Sequence, residues 1–359
     1  MIFTIIIAFI SLIGLIVLHE LSHFLLAKKF GVKVEEFGVG YPPRIFGKKF
    51  GETIYSINLL PFGAFVKIYG EEERLDEPRS FSKKPIWQRA LIIFGGCLSF
   101  WIISAFLLII VMNSGVPQAI SDDTNLTSSI PKIQIVAVSS DSPAAEAGLR
   151  AGDTIKEVKI QDVKIEIQKV KEVVDLTQAH KGEEIILTIE RGDKNFEVNL
   201  VPRISPPSGE GPLGVALTRI AIESYPWYQA IPKGIVATGK LTILIIQGWL
   251  DAIKNFVRGL PTGVQVMGPV GIFSLTSQIS QLGINYFLQF IATLSIYVAL
   301  FNLLPIPAVD GGRLLFLAIE KIFKRPIPQK IEQRINTVSF LVLIILMVWV
   351  TIKDIVKLF

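Results

Sequence analysis

The sequence predicts a polytopic α-helical membrane protein with about four transmembrane helices and one inserted α+β domain. Three observations carry that reading. Half of the 359 residues are hydrophobic and the mean hydropathy is +0.52, too apolar for an ordinary soluble enzyme. The apolar residues are concentrated in long blocks instead of the short stripes of a globular chain. Between the second and third blocks the composition turns soluble, with β-like runs and turn signals. Length alone would permit two or three domains.

The first block begins at the N-terminus. Residues 1–18 carry no charge, and the span they open runs from about Ile2 to Leu26, ending at Lys28-Lys29. Neither a basic leader nor a small-residue cleavage pattern precedes residue 19, so a cleaved signal peptide is disfavoured. Residues 30–88 mix charges (GEEERLDEPRS) with the segment YSINLLPFGAFVKIYGE. Alternation and Gly63 in that segment predict a strand or hairpin, apolar enough to dip into the membrane interface. The second span is Ala90 to Met112, behind Lys83, Lys84 and Arg89.

From Gly115 the chain is soluble in character, with IQIVAVSS, EIILTIE and FEVNLVP as strands and RGDKN as a turn between the last two. PRISPPSGEGPLG reads as a linker. Residues 231–259 carry Lys233, Lys240, Asp251 and Lys254 and read as an amphipathic, interfacial helix, a full span being less favoured. The third span is Tyr286 to Leu304 and the last Val338 to Val350. The expected organisation is therefore an N-terminal membrane core (1–114), an inserted domain (115–204), a linker with an amphipathic helix (205–260) and a C-terminal membrane core (261–359).

The net charge of +5 is modest, and its basic residues flank the apolar blocks. They orient the chain in a membrane; no nucleic-acid partner is implied. With four spans, the basic segments after the first and third spans share one side, which the positive-inside rule makes cytoplasmic. The inserted domain then falls on the extracytoplasmic side. A single cysteine, Cys97, excludes an intrachain disulfide and a cysteine-based zinc site.

His19-Glu20-Leu21-Ser22-His23 interrupts the first apolar block. Two imidazoles and a carboxylate are expensive there, which marks them as functional. His19 and His23 lie four residues apart on one helix face and can bind one Zn²⁺, with Glu20 placed to take a proton from water at the metal. Only one other histidine exists, His180, in the polar stretch QAHKGEE beyond the membrane. The third ligand is instead sought in NLLPIPAVDGG, where Asp310 ends an apolar span at the same depth as the two histidines. Its prolines break the helix and its paired glycines allow close approach of neighbouring chain. A third motif, SPAAEAGLRAGDTI from Ser142, has the spacing of a bacterial PDZ domain, with Gly148 and Gly152 at turns and Leu149 and Ile155 as core anchors.

Together these residues resemble the site-2 protease-type intramembrane zinc metalloproteases of peptidase family M50, in particular their RseP/RasP-like bacterial branch. HELSH and NLLPIPAVDGG match the two metal motifs in order, and GPVGI at Gly268 to Ile272 resembles a segment before the third span. The resemblance implies Zn²⁺ held by His19, His23 and Asp310, Glu20 as general base, and Asn302 on the substrate or the developing oxyanion. It also implies that Pro61 to Tyr69 is a membrane-associated β-hairpin loop presenting an extended substrate along Phe62, Gly63, Ala64 and Phe65. Expected partners are single-span membrane proteins such as an anti-sigma factor or a remnant signal peptide, PDZ-bound peptide termini or regulators, and membrane lipid. Two departures are visible: a single PDZ-like domain, and Arg313 where some relatives carry histidine. An inactive PDZ adaptor is the alternative, which the intact His19, Glu20, His23 and Asp310 disfavour.

Overall fold

The chain's first helix, α1 (Ile2–Lys29), carries the uncharged run and closes on Lys28 and Lys29. The structure is a computed structural model that describes residues 2–71, 73, 75–124, 130–161, 163–192, 194–262 and 266–358. Parts of two predicted loops, at residues 72 and 74 and at 193, lie outside the described residues. After α1 come β1 (Val34–Phe50), β2 (Thr53–Ile68), a 3-10 turn at Phe81–Lys83 and α2 (Ile86–Ser114). The inserted region holds β3 (Val116–Ile120), β4 (Lys132–Val138), α3 (Pro143–Glu146), β5 (Thr154–Ile160), β6 (Val163–Glu166), α4 (Val170–Ala179), β7 (Ile185–Arg191), β8 (Lys194–Leu200) and β9 (Val215–Glu223). The C-terminal part is helical: α5 (Trp227–Val257), α6 (Pro269–Ser280), α7 (Ile284–Leu303), α8 (Asp310–Phe323) and α9 (Gln329–Leu358).

Five helices, α1, α2, α5, α7 and α9, are long and apolar enough to cross a membrane. Four of them contain the four expected spans. The addition is α5, which the sequence reads as interfacial because of its four charges. In the structure its lysines and Asp251 are exposed, while a stripe through Ala230, Thr238 and Ile245 is buried. Ile245 packs with Ile296 and Leu300 of α7, and Trp101 of α2 donates to Thr242 at 3.0 Å.

The chain divides into two compact units. The first comprises residues 1–108, 234–277 and 290–359. Here β1 and β2 are each bent, so the two strands form four segments joined by three pairings. Residues 34–39 pair on one side with 54–57 and on the other with 64–68. Among the described residues, 64–68 therefore has a strand neighbour on one side only, and its other edge is open. Arg79 and Lys28 hydrogen-bond Glu52 at the turn between β1 and β2 and hold its carboxyl down at about 2. A small core of Ala27, Val32, Val34, Ile68, Ile92 and Leu317 joins α1, the hairpin, α2 and α8.

The second unit comprises residues 109–233 and 278–289. Its sheet runs β3-β9-β4-β5-β7-β8, with β6 on β5. β7 alternates buried and half-buried residues, the pattern of a strand with one covered face. Gly148 and Gly152 take φ of +74 and +95, and Leu149 and Ile155 are buried, as the motif spacing predicts. One boundary is corrected. Residues 215–223, placed in the linker by sequence, form β9 between β3 and β4, so the sheet extends beyond residue 204. The Pro-rich stretch before β9 masks it. The segment leading into α7 belongs to this unit: Gln134 donates to the Tyr286 hydroxyl at 3.1 Å and Asn285 to the Gly115 carbonyl at 2.8 Å.

Asp153 is fully buried and holds the domain's turn to β7, accepting from Arg191 twice at 2.6 Å and from the Arg150 amide at 2.8 Å. Arg191→Ala leaves that carboxylate buried without its counter-charge and should cost about 3–5 kcal/mol. Hydrogen exchange on the full chain checks this, with β5 and β7 amides losing protection while α1 and α2 keep theirs.

Candidate metal centre

His19 and His23 lie one helical turn apart on α1, 8% and 6% exposed, with their Nε2 atoms 3.2 Å apart. Asp310 opens α8 and is 8% exposed. Its Oδ2 stands 3.4 Å from His19 Nε2 and 3.3 Å from His23 Nε2. Three donor atoms thus form a nearly equilateral triangle. A tetrahedral ion bound at about 2.0–2.1 Å by nitrogen and oxygen needs donors about 3.3–3.4 Å apart, so the triangle has the dimensions of one tetrahedral face. The donor set of two imidazoles and one carboxylate, with one position left over, is that of a catalytic zinc site. Among the described residues it is the one such cluster, and His180 is elsewhere, bonded to Glu183.

Local sequence explains how the three come together. The prolines at 305 and 307 end α7, and Gly311 and Gly312 let the first turn of α8 fold back onto the backbone of residues 303–307. A Cβ at either glycine would stand inside van der Waals contact of that backbone. His23 Nδ1 lies 2.8 Å from the Ile92 carbonyl of α2, which orients the ring and leaves Nε2 for the triangle. Phe100 stacks on His19 at 4.8 Å between centroids, and Cys97 Sγ lies 3.6 Å from Asp310 Oδ2.

The close approach of α2 to α1 depends on two glycines that lie outside the metal motifs. Ser22 donates to the Gly95 carbonyl at 2.6 Å, and a Cβ on Gly95 would strike Leu26. A Cβ on Gly96 would fall against both imidazoles. The available signal was the Gly-Gly pair inside an uncharged span, a small-residue contact of membrane helices.

The triangle borders a cavity of about 1030 Å³ that is also lined by Glu20, Asn302, Ala64, Phe65, Val66 and Arg313. Asn302 is anchored by its amide to the Val298 carbonyl at 3.0 Å. Residues 64–68, with their open strand edge, form one wall. Gly63 is buried and not part of the lining; with φ of +101 it turns the strand against the Tyr41 ring. The side chain of Phe62 lies outside the described residues. Elsewhere in the first unit, Asp354 of α9 accepts the amides of Gly268 and Gly271 at 2.7 and 2.9 Å, which accounts for both glycines of GPVG.

Comparison with known proteins gives one consistent answer. Relatives align end to end. A Clostridium perfringens protein that bears a zinc metalloprotease name is 35% identical over 98% of both chains. The zinc metalloprotease RasP of Geobacillus kaustophilus is 29% identical over 99% of this chain and 98% of its own. The regulator of sigma-W protease RasP of Bacillus subtilis is 26% identical over 99% of both. Among solved structures, the PDZ domain of the SdrC-like protein from Listeria monocytogenes aligns with 26% of this chain and 93% of its own at 24% identity and a TM-score of 0.22. The model of peptidase family M50 matches residues 7–346, and on that match this chain belongs to peptidase family M50 and is a zinc metalloprotease.

Proposed function

We propose that the protein is a multi-pass membrane protease that cuts single-span membrane proteins within or next to their transmembrane segment. His19, His23 and Asp310 would hold the zinc, and Glu20 would act as general base. The observation that carries this reading is the donor triangle and Glu20 in one cavity whose wall is an open strand edge. When bound, Zn²⁺ supplies Lewis-acid polarisation of a peptide carbonyl and acidifies the attacking water.

The chain's own residues do the rest. Glu20 takes the proton from water and returns it to the leaving amine. Asn302, fixed to its own helix, lies within the cavity to hold the substrate backbone or the developing oxyanion. A helical substrate must first unwind, because its carbonyls are tied into the helix. Residues 64–68 would accept the unwound segment as an added strand, satisfying backbone groups that have no water partners inside a membrane. The exposed Tyr41, Ile45, Phe46, Ile57, Leu59 and Leu60 on the hairpin fit contact with lipid.

With four spans, α1 and α7 would run in the same direction. Their basic flanks would then put His19, His23 and Asp310 toward the cytoplasmic side. The inserted domain, read as PDZ-like from its motif, would then bind peptide termini or regulators on the extracytoplasmic side. The sigma-W name of the Bacillus subtilis relative suggests a substrate whose cutting controls a sigma factor.

A single-span peptide in detergent tests the reading. The purified protein should cut it within the span, lose activity with a chelator and regain it with Zn²⁺. Proline moved stepwise through the substrate should block cutting at alternate positions, since only every second residue of an added strand bonds to the edge. Uniform tolerance of proline would remove the strand-docking step.

A further inference from the structure

Two apparently ordinary charged residues sit where the strand wall meets the metal helix. Arg313 lies one turn after Asp310 on α8, and Glu71 lies three residues after the end of β2. Arg313 Nη1 is 2.6 Å from Glu71 Oε1, and both residues line the cavity of the donor triangle. The Glu71 side chain is only 13% exposed, against 45% for Arg313. Glu71 is itself held in place: its amide donates to the Ile68 carbonyl, and Tyr69 is fixed by Lys33 and Phe81 through backbone bonds of 2.9 and 2.8 Å. The ion pair therefore joins two rigid pieces, the base of the open strand and the first turns of α8.

Apolar contacts also join those pieces. Val66 and Ile68 share a core with Leu314 and Leu317. Apolar packing resists separation but tolerates sliding, because it has no direction. A guanidinium on a carboxylate is directional. In a strand-docked substrate, the offset of the strand from the metal decides which peptide bond meets it, and each residue of offset is about 3.3 Å.

We infer that the Arg313–Glu71 pair is a register clamp: it fixes the docking strand against the helix presenting Asp310 and so selects the bond that is cut. The clamp rests on the strand-docking reading above. Arg313 is a positioning residue; it acts through the strand and Asp310 and takes no part in the proton transfers. It also gives the arginine at this position a role that a shorter histidine would fill differently, since only the long planar fork reaches and orients on Glu71.

Mass spectrometry of the products from a single-span peptide tests the clamp. Wild type should give one cut. Arg313→Glu and Glu71→Arg should each lower kcat by about a hundredfold, the cost of a misplacement of about 1 Å, and should spread cutting over adjacent bonds. Bound zinc, measured per chain, should be unchanged. The double swap, Arg313→Glu with Glu71→Arg, should restore the single cut and most of kcat. Arg313→Lys and Glu71→Gln, milder changes that keep the fold, should spread the cut to a smaller degree. A single wild-type cut in all four single variants, or a double swap no better than its parents, overturns the clamp. The proline scan of the wild type separates the two ideas: alternate-position blocking with unchanged cut sites in the variants sinks the clamp alone, and absence of that blocking sinks strand docking first.

Discussion

Glu20→Gln should reduce cleavage by about 10²–10⁴-fold, the usual range for loss of a general base, while zinc stays bound. The substitution keeps the shape of the side chain and removes only its ability to accept and return a proton. Glu20 is not one of the three clustered donors, which are His19, His23 and Asp310. Its side chain borders the cavity beside that triangle, along with Asn302 and the 64–68 wall. KM should change little, because the proposed docking surface, the strand edge at residues 64–68, is untouched. Metal content, substrate affinity and kcat measured on one preparation give the check. A variant that keeps its zinc and retains more than a tenth of wild-type kcat overturns the role of Glu20. A variant that loses its zinc assigns the residue to the metal site instead.

What could be read from the sequence follows the range of each interaction. HELSH is local, since an i,i+4 pair on a helix needs no knowledge of the rest of the fold. Asp310 was accessible because a carboxylate ending an apolar run is conspicuous whatever surrounds it. The role of α2 in the site was hidden. Gly95 and Gly96 read as helix-packing residues in any span, and only the three-dimensional neighbourhood shows imidazoles against one of them. The same limit applies to the hairpin. Alternation around Gly63 predicted strand, but the double pairing of residues 34–39, which leaves 64–68 as an edge, depends on bends that no short pattern encodes. β9 was lost behind its Pro-rich approach. The contact of α5 with α2 and α7 is hidden too, because its buried stripe includes Ala230, Gly234 and Thr238, residues too small to raise an apolar signal, whereas its charges raise a polar one.

The same glycine pair supplies the second large effect. Gly96→Ala should strip the site of zinc and reduce cleavage by about a hundredfold or more, consistent with misplacement of reacting groups by about 1 Å. On α2, a methyl at this position would meet His23 Nε2, His23 Cε1 and His19 Cε1, the last at 2.7 Å. Both rings cannot retreat together. His23 is held by the Ile92 carbonyl and His19 lies against Phe100, so displacement of either opens the 3.2–3.4 Å triangle. Helix propensity works the other way, favouring alanine over glycine by about 0.8–1.0 kcal/mol in a helix interior. The two forces therefore predict opposite outcomes. If the site's geometry depends on Gly96, zinc per chain falls even where the helix itself gains. Gly14→Ala on α1, where a Cβ meets nothing within 4 Å, is the matched control and should keep full zinc and activity. Equal zinc content in both variants would mean that α2 does not set the spacing of the imidazoles.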